Sequence, residues 1–242
     1  MLDDESISRR HAAIQRTEHG FLLVDLNSTN GTFVNGQRVS THALQAGDQI
    51  HVGSHILKYL SHDNIERQYF ETVYAMTTTD GLTNAHNKQY LCDMLKRELQ
   101  RTKRYMRPLS VVMMDIDHFK QVNDAHGHLT GDEVLQEFGR RVREWTQADD
   151  LFARFGGEEF TLVLNECDME DAVAHAERIR KVIAESPFTT HLAALPISAS
   201  FGVGTTRGGR ETTIDELLNL ADMQLYRSKR AGRNCVSAAR LA

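Results

Sequence analysis

"ARFGGEEFTLVL" (residues 153–164) places two glycines and two glutamates between apolar runs. "LFARF" (151–155) and "FTLVL" (160–164) read as the strands of a hairpin. Gly156 and Gly157 are predicted to form its two-residue turn, because glycine accepts the positive φ such turns need. Glycine also lets a ligand approach the backbone closely. Glu158 and Glu159 then stand at the strand mouth. A solvated acidic tip would explain them on its own, so the rest of the chain has to decide.

A second acidic cluster weighs against that plain explanation. "DIDHFKQVND" (115–124) sets Asp115 at the end of the apolar run "LSVVMM" (109–114). A carboxylate there carries a desolvation cost unless it meets a cation. Asp115 and Asp117 share a face by the two-residue period of a strand. If this strand neighbours the hairpin, Asp115 and Glu158 converge into a hard-oxygen site, suited to magnesium carrying phosphates. "HFKQVN" then starts a helix whose free N–H groups attract phosphate, and Lys120 adds a cation. In "SKRAGRN" (228–234), Lys229 and Arg233 are four apart, on one face of a helix's last turn and its exit. Cations often complement a helix C-terminus with no further role. Beside an acidic metal site they point to triphosphate binding.

From residue 80 onward helices and strands alternate. Helices are expected at 87–105, 130–146, 169–186 and 213–232, the last ending at Gly232 as a C-cap. Val134, Leu135, Phe138 and Val142 mark the buried face of the second. Strands are expected at 109–117, 196–206 and 233–238, besides the hairpin. The Lys and Arg cluster of 87–105 reads as a solvated face. The pattern indicates an α+β sandwich.

Residues 1–60 have a different grammar. Short alternating runs are punctuated by Asn30-Gly31, Asn35-Gly36, Gly47 and Gly53, which suggests an all-β sandwich. Residues 61–79 change period: Ile65, Tyr69, Val73 and Met76 mark one face of a connecting helix, for which a partner copy is one candidate surface.

The totals narrow the class. The chain has 242 residues and a net charge of −5, so no global basic field invites nucleic acid. Its three cysteines are odd in number, far apart and lack CxxC spacing, which argues for a reducing compartment and against a structural zinc site. The longest apolar stretch, 109–114, is too short to span a bilayer, and "MLDDESISRR" lacks a signal-peptide core. The expectation is a cytoplasmic protein.

Residues 80–242 resemble the GGDEF family of diguanylate cyclases. "DGLTNAHNKQYL" (80–91), "DIDHFKQVNDAHGHLTGDEVL" (115–135), "RFGGEEF" (154–160) and "ADMQLYRSKRAGRNCV" (221–236) carry the resemblance. It implies a palm-like, ferredoxin-like α+β domain binding one GTP per subunit. Two such subunits face each other as a homodimer and make cyclic di-GMP. By position, Asp115, the carbonyl of Ile116 and Glu158 would hold Mg2+. Glu159 would assist a second metal or the deprotonation, and Lys120 would stabilise phosphate charge in the transition state. Lys229 and Arg233 would grip the β- and γ-phosphates. Asn123 and Asp132 would read guanine, with Phe119 among the substrate-binding residues. A carboxylate accepts from both N1–H and the exocyclic amine of guanine, a donor pair adenine lacks. The 3′-hydroxyl of one GTP would attack the α-phosphate of the other in line and expel pyrophosphate. The family's product-inhibition site carries Arg-x-x-Asp before the hairpin. Here that stretch is "QADD" (147–150): Asp150 is in place and Gln147 replaces the arginine. Arg178 resembles a second arginine used by some members, and Arg143 is another candidate to compensate.

Residues 6–60 resemble the C-terminal part of a forkhead-associated (FHA) domain, a phosphothreonine reader. "ISRRHAAI" (7–14), "VDLNSTNGTFVNG" (24–36) and "LQAGDQIHVG" (44–53) carry this one. Ser8 and Arg9 would contact phosphate and Asn30 the peptide backbone, while His11 packs beneath the loop. The family's upstream Gly-Arg is not in the chain, so a partial domain is expected at 1–60, a helical linker at 61–79 and the cyclase domain at 80–242. The leading function is a cyclase regulated by phosphopeptide binding. The alternatives are a catalytically silent GTP-binding or docking module, and a scaffold led by the FHA part.

Overall fold

A computed structural model describes residues 6–18, 20–60 and 65–241, except for the side chains of residues 65–71. The chain divides into two compact units, residues 1–75 and 76–242. In the first unit short strands follow one another: β1 (Ala12–Thr17), β2 (Gly20–Asp25), β3 (Thr32–Val34), β4 (Gln37–Val39), β5 (Thr41–Ala43), β6 (Gln49–Val52) and β7 (His55–Lys58). They form two sheets, ordered β1-β2-β5 and β4-β3-β6-β7. Leu23 of the first sheet meets Val34, Ile50 and Val52 of the second in one apolar core, so the pair is a sandwich. Asn35 and Gly36, at φ 50° and 81°, make the tight turn between β3 and β4. Asn30-Gly31 does not make a hairpin. It lies in the loop from β2 to β3, pinned by Asp25, which accepts from the Ser28 and Thr32 hydroxyls at 2.5 and 2.6 Å.

Helix α1 (Ile65–Thr78) follows. Its predicted start at 61–64 and the side chains of Ile65 and Tyr69 lie outside what is described. Val73 and Met76 of the predicted face are exposed, Met76 by 75%.

The second unit is a five-stranded sheet between helices. Its elements are α2 (Lys88–Tyr105), β8 (Leu109–Ile116), α3 (Phe119–His126), α4 (His128–Arg143), β9 (Leu151–Gly156), β10 (Glu159–Asn165) and α5 (Met169–Glu185). Then come β11 (Phe188–Thr189), β12 (Ala194–Leu195), β13 (Ala199–Thr206), α6 (Ile214–Arg230) and β14 (Val236–Arg240). The order is β14-β13-β8-β10-β9, antiparallel except for the parallel pair β13–β14. Among the described residues no helix is long and apolar enough to cross a membrane.

Strand β8 is central, and all eight of its residues are buried. Its alternation serves both faces. Val112, Met114 and Ile116 join Phe160, Leu162, Phe138, Val142 and Ile179 beneath α4 and α5. Leu109, Val111 and Met113 join Leu91, Leu95, Leu217 and Leu225 beneath α2 and α6. Each such side chain removed from water contributes about 1.5–3 kcal/mol. Helix starts follow local chemistry. Asn87 accepts from Tyr90 N–H, Asp168 from Asp171 N–H, and Thr213 forms a capping box with Glu216.

Helix α6 ends at Arg230, short of the predicted Gly232. Arg233 and Asn234 at φ 65° and 44° turn the chain left-handed before β14, so the last strand begins at Val236, not 233. The two-residue pair β11–β12 was not expected from the sequence; it is too short to show a period.

A clasp holds α4 to the end of α5. Buried Arg141 donates to the carbonyls of Ser186 (2.6 Å) and Pro187 (2.9 Å) and lies over the Phe188 ring. Glu137 accepts from Arg140 and Arg141 at 2.7 and 2.8 Å. The Arg140 bond leads in pulling the Glu137 carboxyl down to about 2, against partial burial and together with Arg141. A folded-state value below the unfolded one, about 4.3–4.5, stabilises the fold above that range and loses the benefit as pH falls toward about 2. Glu137→Gln is therefore expected to lower the melting temperature at pH 7 and to narrow the difference between pH 7 and pH 3. Thermal scans at both pH values check this; an unchanged difference would show the clasp to be neutral.

Candidate active site

The hairpin β9–β10 and the end of β8 meet in register. Glu159 pairs with Asp115 on one side and Gly156 on the other. The turn is Gly157-Glu158, one residue later than predicted, with Gly157 at φ 48°. A bulge between Glu159 and Phe160 accounts for the slip: it shifts the register so that Gly156 still pairs as a strand residue. Glu158 is thus a turn residue, and its carbonyl accepts from Ile116 N–H at 3.4 Å. This places the Ile116 backbone beside Glu158.

Asp115 is 7% exposed. Burial pushes its carboxyl above the usual range. Repulsion from Glu158 and Glu159 adds to the rise, and Lys229 opposes it. Lys229 Nζ lies 2.6 Å from Asp115 Oδ2. The structure thus brings Asp115, Ile116, Glu158, Glu159 and Lys229 to one sheet end.

Asp117 does not join them. It accepts from the hydroxyls of Ser198 (2.7 Å) and Ser200 (2.6 Å) and from Asn234 N–H (3.1 Å). Its carboxylate ties β13 and the α6–β14 turn to the end of β8, which satisfies a buried charge without a metal.

Helix α3 begins at Phe119, which is buried, with Lys120 exposed in its first turn. His118 at its N-cap has a left-handed backbone and makes no side-chain cap. The helix N-terminus therefore has donors to offer an anion. Asn123 Oδ1 is buried with no hydrogen-bond partner. It rests on Gly131, where an added Cβ would lie 1.9 Å from that oxygen. Asp132 follows on α4 and is exposed. A buried acceptor left unpaired costs about 1–3 kcal/mol and suits a donor-bearing ligand such as a guanine edge.

Arg233 is exposed and lies outside α6, so the one-face helical spacing with Lys229 does not apply. Its N–H reaches the Ser228 carbonyl at 3.1 Å.

Two residues that hold the hairpin were missed. Arg154 donates to the Gly157 carbonyl from Nε and Nη2 (2.9 and 2.7 Å) and to Asp80 from Nη1 (3.1 Å). Burial works to raise the Asp80 carboxyl, but bonds from Thr83 and Arg154 override it and hold the group below its ordinary range. An arginine inside an apolar strand was the available signal, since it needs a partner.

Before the hairpin, Gln147, Asp150, His175 and Arg178 line a cavity of about 510 Å³. Asp150 accepts from Gln147 N–H at 3.0 Å, and burial raises its carboxyl. Arg178 contacts His175 Nδ1 at 3.4 Å. Arg143 is spent elsewhere: it donates to the carbonyls of Thr83 (2.9 Å) and Asn84 (3.3 Å), so it does not compensate for the missing arginine.

In the first unit, Ser8 N–H donates to His11 Nδ1 (3.2 Å), and His11 Nε2 faces the Gly31 carbonyl (3.1 Å). Buried His11 thus ties two loops from beneath. Ser8 Oγ accepts from Thr29 N–H (3.2 Å), Asn30 Nδ2 donates to the Ser6 carbonyl (2.8 Å), and Arg9 is exposed.

Among the described residues no three His, Cys, Asp or Glu side chains form a ready metal cage. The expected donor set asks for less: two carboxylates and one carbonyl. Asp115 already holds a cation, the Lys229 ammonium, and two carboxylates with a carbonyl suit a hard divalent ion.

Comparison with known proteins identifies the families to which the two units are similar. The model of the family "Diguanylate cyclase, GGDEF domain" matches residues 77–235, and that of the FHA domain matches residues 1–53. The response regulator PleD of Caulobacter vibrioides is 40% identical over 163 residues, 66% of this chain and 36% of PleD. Diguanylate cyclase DgcP of Pseudomonas aeruginosa is 38% identical over 161 residues, 66% of this chain and 24% of DgcP. The chain thus spans about a third or less of these relatives' lengths. The coiled coil and GGDEF domain of Caulobacter crescentus DgcB, solved with c-di-GMP, superposes with a TM-score of 0.67 at 30% identity, over 72% of this chain and 92% of that one. The active GGEEF domain of a Vibrio cholerae diguanylate cyclase gives 0.59 at 35% identity, over 64% and 98%. The chain belongs to the GGDEF diguanylate cyclase family and carries an N-terminal FHA domain.

Proposed function

We propose that this chain condenses two GTP into cyclic di-GMP with release of pyrophosphate, as a homodimer in the cytoplasm, and that its FHA unit reads a phosphothreonine peptide. The observation that carries the reading is a buried carboxylate, Asp115, set against both hairpin glutamates with a cation upon it. Asp115, the Ile116 carbonyl and Glu158 would hold Mg2+. When bound, Mg2+ would favour the ionised 3′-hydroxyl and neutralise phosphate charge. Glu159 would assist a second metal or take the hydroxyl proton. Lys120 and the open N-terminus of α3 face charge developing on the phosphates. Lys229 and Arg233 bind the outer phosphates. Asn123 Oδ1 and Asp132 accept from the guanine donors, and Phe119 supports them.

Each subunit holds one nucleotide and so half of the reaction. Exposed Val73 and Met76 on α1 supply apolar surface for a second copy. In the FHA unit, Ser8 and Arg9 would contact the phosphate and Asn30 the peptide backbone. The three free cysteines suit a reducing compartment.

Incubation with GTP and Mg2+, followed by mass identification of the product, tests the reading. Cyclic di-GMP is expected. GTP bound without turnover would identify a silent docking module instead.

Product inhibition is expected to be weak. The cavity beside Asp150 offers Gln147 where an arginine fork would stand. A neutral amide has fewer donors and no charge. A charged hydrogen bond is worth about 1.5–3 kcal/mol, so Gln147→Arg should tighten cyclic di-GMP binding about ten- to a hundredfold by calorimetry. Tight binding by the wild type that depends on Asp150 and gains nothing from the arginine would refute this.

A further inference from the structure

Lys229 stands on the carboxylate that would help to hold the metal ion. Its ammonium is 2.6 Å from Asp115 Oδ2, and its side chain is 32% exposed against 10% for Asp115. The charged groups that act most on Asp115 are this cation and two like charges, Glu158 and Glu159. The backbone that carries Lys229 is fixed. Ser228 Oγ donates to the Phe201 carbonyl (2.7 Å) and is hydrogen-bonded to Ser237 Oγ (2.9 Å), which anchors the last turn of α6 to β13 and β14. Only the four-carbon stem is free to swing, and lysine is the side chain suited to that. A divalent ion on Asp115 and an ammonium at hydrogen-bond distance from the same oxygen repel one another, so they compete.

We propose that Lys229 is a removable counter-ion: without nucleotide it occupies the cation place on Asp115 and keeps the divalent metal out, and a bound triphosphate releases that place by drawing the ammonium onto its own phosphates. This rests on the assignment of Asp115 and Lys229 made above and adds an order to it. The empty protein holds its acidic end neutralised and binds metal poorly. Metal and nucleotide then bind synergistically, because the phosphates remove the competitor and add oxygen ligands together. By reciprocity, metal raises nucleotide affinity by the same factor.

The test uses Mn2+ as probe on the whole chain, with free Mn2+ counted by electron paramagnetic resonance, with and without a non-reactive GTP analogue. Lys229→Met keeps the stem and removes the charge. It is expected to bind Mn2+ about tenfold more tightly than wild type without nucleotide, and to show a gain in Mn2+ affinity on adding the analogue that is smaller than the wild type's by about the same factor, the part from added phosphate ligands remaining. Lys229→Arg, which keeps the charge, is expected to bind Mn2+ weakly like wild type. Adding Asp115→Asn to Lys229→Met should remove the tight binding. Mn2+ affinity that is unchanged, weaker or undetectable in a folded Lys229→Met overturns the proposal. So does tight binding that survives Asp115→Asn. If Lys229→Met melts below the assay temperature, Lys229→Gln, which still donates to Asp115 without charge, gives the same comparison. A failure of the cyclase reading would show separately, as no cyclic di-GMP from wild type while the Mn2+ pattern holds.

Discussion

Glu158→Ala is expected to abolish cyclic di-GMP synthesis while leaving the fold intact. The two halves of this expectation come from different atoms of one residue. Its carbonyl accepts from Ile116 N–H, and alanine keeps that bond. Its neighbour Gly157 is held through its own carbonyl by Arg154, which alanine does not touch. The turn is only partly buried, so no core volume is lost. The carboxylate is the part removed. Asp115 alone then has to carry the metal against the competing Lys229. Losing one of two anionic ligands at the reacting centre should lower kcat by about two to three orders of magnitude or more. Product formation and a melting curve, measured on the same preparation, check both halves. Turnover near wild type would remove Glu158 from the site. A collapsed melting curve would instead mean that the side chain holds the hairpin.

How much of this was legible depended on whether a partner was near in sequence. The buried face of α4 showed itself through spacing, because Val134, Leu135, Phe138 and Val142 are one helical stripe. Strand β8 and the hairpin strands showed themselves as short apolar runs. Asp115 was legible as a charge needing a cation. Its nearest cation was not, because Lys229 is far along the chain and reaches it only through α6 packing on β13. The partners of Asp117 were not legible for the same reason. A strand period places it with Asp115, but two serines on β13 and the loop before it claim it. The turn was misplaced by one residue because a bulge leaves no mark in composition. The end of α6 was misplaced because Gly232 is a natural C-cap, whereas Arg233 and Asn234 take the left-handed backbone as well. The Arg154–Asp80 pair spans 74 residues, and no local pattern links them.

Gly202→Ala is expected to cost both stability and activity, through one contact. An added Cβ at Gly202 would lie 2.1 Å from Leu225 N and 2.2 Å from the Ala221 carbonyl oxygen. Those are backbone atoms of α6, so no side chain can rotate out of the way. The helix has to lift from β13 by more than an ångström, because ordinary contact needs about 3.5–4.0 Å. At Gly204, two residues on along the same face of β13, an added Cβ would lie 2.9 Å from Ala221 N, so the helix cannot pivot about a loose neighbour. Lifting α6 disturbs the buried seam of Leu217, Ala221 and Leu225 against Leu109, Val111 and Met113. Overpacking of this kind costs about 1–3 kcal/mol, and more where backbone must move. For a unit of this size that is a fall in melting temperature of roughly 2–12 °C. The catalytic consequence is separate. Lys229 is one turn beyond Leu225, and its ammonium meets Asp115 only because α6 lies this close to the sheet. A displacement of about 1 Å can cost about a hundredfold in rate. Activity should therefore fall at temperatures where circular dichroism still reports a folded protein. Full activity in Gly202→Ala at 25 °C would mean that α6 can rise without moving Lys229, and that the close approach of helix to strand serves packing alone.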